Sequence, residues 1–182
     1  MKNAFLLMFI LGIFSNGQSQ IIQLEETDVR FSPKLQLIST FNDGVILKIN
    51  EEHAGEFSRN PILFMKQNFN IEDFVNNLDG EIYNYYVVDF KSRKGNLEAR
   101  FSNRGELIRT TQNFKNVALP HEISKDLLLD HSGWIMTGNS YTAVGTGDGI
   151  LREKYKVQLK NEKNSKTIKI TPQRVMGVAA LR

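Results

Sequence analysis

"EIYNYYVVDFKSRKGNLEARFSNRGELIRTTQNF", residues 81–114, is the stretch whose reading decides the fold. Tyr86, Val88 and Phe90 alternate with more polar neighbours, a turn at Gly95 reverses the chain, and Leu97, Ala99 and Phe101 alternate back. Successive side chains of a strand point to opposite faces, so this period of two describes an antiparallel meander with one buried face. A second turn, "SNRGEL" (102–107), places Gly105 where a left-handed or bulge residue is needed.

The flanking segments supply further strands and two helices. "KLQLISTFNDGVILKIN" (34–50) reads as a hairpin around Asp43-Gly44. In "RNPILFMKQNFNIEDFVNNLDG" (59–80), Asn60 is an N-cap and Pro61 suits the first helical position, where its missing N–H costs nothing. Ile62, Met65 and Phe69 recur at helical spacing, and Ile71, Phe74 and Val75 continue the apolar face after a break near Asn70. In "VALPHEISKDLLLDHSGW" (117–134), Pro120 opens a second helix, Glu122 favours its dipole, and Leu119, Ile123, Leu127 and Leu128 form the expected buried stripe. "WIMTGNSYTAV" (134–144), "ILREKYKVQLK" (150–160) and "KTIKITP" (166–172) are three more strand candidates.

The two halves match at an offset of 69 residues. Tyr86, Val88 and Phe90 fall on Tyr155, Val157 and Leu159, while Ala99 and Phe101 fall on Ile168 and Ile170. Each half begins with a helix that opens on Pro. The expected fold is therefore α+β, with tandem helix-plus-antiparallel-sheet units (α-β-β-β repeated) behind an N-terminal β-hairpin. Pro61 to Tyr86 spans 25 residues and Pro120 to Tyr155 spans 35, so the second unit carries about ten extra residues around "GTGDG" (145–149).

"YYVVDFKSRKGNLEARFSNRGELI", "LPHEISKDLLLDHSGW" and "YKVQLKNEKNSKTIKI" together resemble the PepSY-like domains of exported Bacteroidetes proteins. Those domains are similar in fold to the bacterial beta-lactamase inhibitor protein. The resemblance covers roughly residues 60–172 and rests on strand, turn and helix patterns, not on catalytic signatures. It implies tandem helix-on-sheet units, an exported location, and binding or inhibition instead of catalysis. The inhibitor protein is disulfide-bonded whereas this chain has no Cys, and the hairpin near residues 35–49 lies outside the match.

The first residues, "MKNAFLLMFILGIFSNGQSQ", place Lys2 before an apolar run from Ala4 to Phe14, followed by small polar residues. A run of 11 residues is too short for the roughly 20 needed to cross a bilayer, so a secretory signal peptide is expected, cleaved near Ser19. The expected organisation is then signal peptide 1–19, arm and hairpin 20–59, first unit 60–116, second unit 117–172 and tail 173–182. No transmembrane segment is expected after cleavage, and the location is periplasmic or secreted. Without Lys2 the chain holds 22 Lys and Arg against 20 Asp and Glu, a balance that argues against a nucleic-acid partner. With no Cys there is no disulfide framework, so stability must come from a hydrophobic core.

The chemical motifs fail on spacing. "GTGDG" lacks the third glycine position of a dinucleotide loop, the Gly-Lys-Ser/Thr of a P-loop, and the oxygen ligands of a calcium loop. It reads as a hairpin tip. His121 and His131 are separated by about 1000° of helical rotation at 100° per residue and lie on different sides, so neither they nor His53 suggest a metal site. No Ser sits in a nucleophile elbow and Cys is absent. The expectation is a protein that is not an enzyme, with no cofactor and no metal.

If Tyr86, Val88, Phe90, Tyr155, Val157 and Leu159 face the helices, alternation sends Tyr85, Val87, Asp89, Lys154 and Lys156 to the other side, with Glu98, Arg100 and Lys169 beside them. Tyr and Arg are enriched at interfaces. The expected function is a binding or inhibitor-like module for a protein or peptide partner, with contacts at Tyr85, Val87, Arg100, Tyr141, Asp148, Lys154 and Lys156 on the open face and hairpin tip. The alternatives are a small secreted hydrolase or ligand-binding enzyme with a His/carboxylate site, and a structural cell-envelope component.

Overall fold

The computed structural model describes residues 32–41, 43–76 and 83–172. The expected signal peptide, most of the N-terminal arm and the 173–182 tail lie outside them. Each alternating run forms a strand, and all eight strands share one sheet in chain order: β1 (Leu35–Phe41), β2 (Gly44–Ile49), β3 (Tyr85–Ser92), β4 (Gly95–Ser102), β5 (Leu107–Lys115), β6 (Ile135–Thr146), β7 (Gly149–Lys160) and β8 (Ser165–Ile170). Neighbours are antiparallel except β2 and β3, which run parallel with Val45 beside Val88 and Leu47 beside Phe90. A parallel pair cannot be closed by a tight turn and needs a crossover. Residues 51–76 supply it as a 3₁₀ turn (Glu51–His53), α1 (Ala54–Arg59), α2 (Pro61–Asn68) and α3 (Ile71–Asn76).

Local chemistry sets these boundaries. The Asn60 side chain accepts a hydrogen bond from the Leu63 N–H at 3.2 Å, and Pro61 occupies the first turn of α2. Asn70 accepts from the Glu72 N–H, which starts α3 after the expected break. α4 (His121–Asp130) follows Pro120, and Gly133 takes φ +78° just beyond it.

Both helical groups cover the same side of the sheet. Under α1–α3, Phe57, Phe64, Met65 and Phe74 meet Val45, Leu47, Tyr86, Val88, Phe90, Leu97 and Phe114. Phe57 has no solvent exposure and packs edge-on against Phe64 (5.4 Å between centroids) and Phe114 (5.3 Å). Under α4, a smaller cluster joins Tyr155, Val157 and Leu159 to Leu119, Ile123, Leu127 and Trp134. Leu128, placed in the buried stripe by helical spacing, is instead 72% exposed. It is a full 100° round the helix from Leu127, and a helix this shallow on the sheet buries only a narrow stripe.

The expected tandem α-β-β-β units behind a hairpin are corrected by this topology. The chain forms one mixed eight-stranded sheet with few helices, and β5 pairs directly with β6 from Thr110–Gly145 to Lys115–Ser140, across the supposed boundary. The 69-residue match equates β3 and β4 with β7 and β8, yet β3 is the first strand after its helices and β7 the second after α4. The ten extra residues are therefore most of a whole strand, β6, and not a longer tip. The internal match arises because every strand of a one-sided sheet must bury alternate residues against the same layer.

Candidate functional site

Residues paired across adjacent strands share a face, so the ladder registers define the surface opposite the helices. One row runs Lys48, Lys91, Asn96, Asn113, Thr142 and Lys154. A second runs Asp89, Glu98, Thr111, Val144 and Arg152. A third joins Lys115, Ser140, Lys156 and Lys169. None of these positions is buried.

Five of the seven expected contact residues lie on this open face. Tyr85, Val87 and Arg100 are adjacent on β3 and β4, with the Arg100 guanidinium 4.7 Å from the Tyr85 ring centre. Lys154 and Lys156 lie on β7, two strands beyond β5. The structure does not bring the other two to the same surface. Tyr141 points to the helix side, where its ring lies 4.9 Å from that of Tyr155 and its hydroxyl donates to Glu153 Oε2 at 3.0 Å. Asp148, at the tip of the β6–β7 hairpin, pairs with Lys66 of α2, also on the helix side.

The "GTGDG" tip is a tight turn, as expected, but its glycines serve different ends. Gly147 adopts φ +50°, the left-handed region. Gly145 is needed for close approach: a Cβ there would lie 2.4 Å from the Gly149 carbonyl oxygen and 2.7 Å from Thr110 Oγ1.

Two concavities accompany these surfaces. On the open face a groove of about 800 Å³ is lined by Thr111, Asn113, Thr142, Val144, Arg152 and Lys154, with Thr171 and Pro172 at its end. On the helix side a cleft of about 520 Å³ lies between α1–α2 and β7, with Gln112, Tyr141, Glu153 and Tyr155 among its lining. Sequence reasoning did not single out Gln112 or Glu153. Alternation from Tyr155 places Glu153 on the helix face, and that was the available signal.

The histidines stay apart. His53 sits between Glu52 (3.3 Å) and Glu56 (3.6 Å) on the helical cover, and His131 Nδ1 lies 3.2 Å from Lys166 Nζ, which also stacks over Trp134. Among the described residues no cluster of three or more His, Asp or Glu is placed to hold a metal ion, and no helix is long and apolar enough to cross a membrane. Comparison with family models, curated proteins and solved structures returned no match.

Proposed function

We propose that this chain is an exported, non-catalytic binding module that engages a protein or peptide partner through its open sheet face. The observation that carries this reading is the one-sided architecture. The four α-helices of the described residues pack on one face, while the opposite face presents a broad polar surface across β2–β8 with an Arg100–Tyr85 pair at one end. Arg and Tyr pre-packed in this way lose little rotamer freedom on binding, which favours contact over solvation alone. The resemblance to PepSY-like domains agrees in role and export, although the tandem fold it implied gives way to the single sheet. Replacing Tyr85, Arg100 and Lys156 together by Ala should remove a captured partner while circular dichroism and Tm stay near the parent. An unchanged capture profile would reject the open face.

One observation favours a second reading, a small-ligand site in the helix-side cleft, where the Tyr141 hydroxyl orients Glu153. That arrangement suits binding of a polar ligand, because the histidines a hydrolase would use lie outside the cleft lining. Glu153→Gln should then lower ligand affinity without altering partner capture; a partner lost with Glu153→Gln would count against keeping the two sites separate.

A further inference from the structure

The near balance of charge in the sequence conceals a strong division in space. The strand positions of the open face carry ten Lys and Arg residues against two carboxylates, Asp89 and Glu98, whereas the remaining described residues carry nine against thirteen. Both open-face carboxylates lie on β3 and β4, and Asp89 is already paired with Lys91 at 3.2 Å. The β5–β8 half therefore holds Arg109, Lys115, Arg152, Lys154, Lys156, Lys160 and Lys169 with no carboxylate on its own face. None of these seven cations makes an ion pair with a described residue.

This arrangement is unfavourable for folding. Lys156 and Lys169 stand directly opposite each other, and like charges in that position repel. Lysines protect exposed sheet edges from unwanted pairing, which accounts for Lys169 on the edge strand β8. It does not account for β5 and β7, which are paired on both sides and still carry the other six. A bound anion would relieve the repulsion.

The spacing indicates the kind of anion. Arg152, Lys154 and Lys156 follow one line along β7 at alternate positions, about 6.6–6.8 Å apart, and Lys160 stands two intervals further on beyond Gln158. An extended peptide repeats its side chains at that same interval, so alternate carboxylates would meet successive cations. The adjoining groove offers the hydroxyls of Thr111 and Thr142 and the amide of Asn113 to a peptide backbone. A single-stranded nucleic acid is favoured by aromatic platforms, but these rows carry none on β5–β8, and the Tyr85 ring on β3 is taken by Arg100.

We propose that the β5–β8 half of the open face binds an extended acidic segment of a partner protein. The proposal rests on the reading of the open face as the binding surface and adds the chemistry of its ligand. The test is fluorescence anisotropy of the full chain with a labelled deca-glutamate peptide, a neutral Gly-Ser peptide of equal length, a thymidine decanucleotide and anionic phospholipid vesicles. Deca-glutamate should bind most tightly of the four, and its affinity should fall about tenfold or more between roughly 50 and 300 mM NaCl. Lys154→Glu with Lys156→Glu should weaken it at least about tenfold, whereas Arg59→Glu with Lys125→Glu, an equal charge change on the helix side, should leave it within about twofold. Equal binding of acidic and neutral peptides overturns the proposal, as does tighter binding of the decanucleotide or vesicles, or charge reversal with no effect. Should a partner still be captured at Tyr85 and Arg100 by the doubly reversed variant, the acidic-ligand proposal fails while the open-face reading stands.

Discussion

Asn139 of β6 ties down the segment that leaves β5, and its replacement gives a prediction whose size follows from the structure. Its side chain is 8% exposed and acts as a two-way clamp: Oδ1 accepts from the Val117 N–H at 3.0 Å, and Nδ2 donates to the Val117 carbonyl at 2.8 Å. The backbones reinforce it, since Asn116 N–H donates to the Asn139 carbonyl and the Asn139 N–H donates to Asn116 Oδ1. Asn116 itself holds φ +53°, so the chain leaves β5 through a tight reversal that this network fixes. Asn139→Ala removes two net-favourable hydrogen bonds of about 1 kcal/mol each and leaves both polar groups of Val117 short of partners, for a loss of about 2–3 kcal/mol. For a chain of this size that lowers Tm by about 5–10 °C. Asn139→Asp keeps the acceptor but loses the donor and brings a carboxylate against the Val117 carbonyl, so it should rescue none of the loss at neutral pH. Urea unfolding of both variants provides the assay. An Asn139→Ala cost under about 0.5 kcal/mol, or an Asp variant as stable as the parent, would refute the clamp.

Three further outcomes follow from the packing. Phe57→Ala empties a site enclosed by Phe64 and Phe114 and should cost about 3–5 kcal/mol in chemical denaturation; a loss below about 1.5 kcal/mol would mean the crossover is not seated on the sheet. Gly145→Ala puts a methyl group against the Gly149 carbonyl and should destabilise the β6–β7 hairpin by more than Gly149→Ala, whose nearest neighbour lies 3.7 Å away; equal effects in thermal melts would contradict this. Lys66→Ala and Asp148→Asn break an exposed pair and should each change stability by less than about 1 kcal/mol, with a larger shift pointing to a tip that matters for the fold.

The strands and most helix ends were legible because each rests on local chemistry. Alternation at Tyr86–Phe90 and Tyr155–Leu159, the Asn60-Pro61 cap, and Asp43-Gly44 act within a few residues of themselves. What was not legible depends on partners far along the chain. The parallel pairing of β2 with β3 leaves no mark in either strand, because Val45 and Leu47 alternate in the same way beside a parallel or an antiparallel neighbour. The β5–β6 pairing that merges the two halves into one sheet is likewise silent in sequence, and the pseudo-repeat pointed the other way. No helix was expected within residues 51–59, yet Ala54 and Phe57 bury one face of a short helix in the crossover. The open face was legible as a set of alternating positions, including Tyr85, Arg100, Lys154 and Lys156. The gathering of Lys154, Lys156 and Lys169 there was legible by the same alternation, whereas the strand pairing that brings Arg109 and Lys115 onto the same face was not.

The most direct measurement is site-specific photocrosslinking in cells that express the chain, with a benzophenone amino acid placed at Asn113 on the open face or at Leu128 on the outer side of α4. Adducts should form from Asn113, diminish when Lys154 and Lys156 are reversed to Glu, and be absent from Leu128. Adducts confined to Leu128 would contradict the open face as the binding surface.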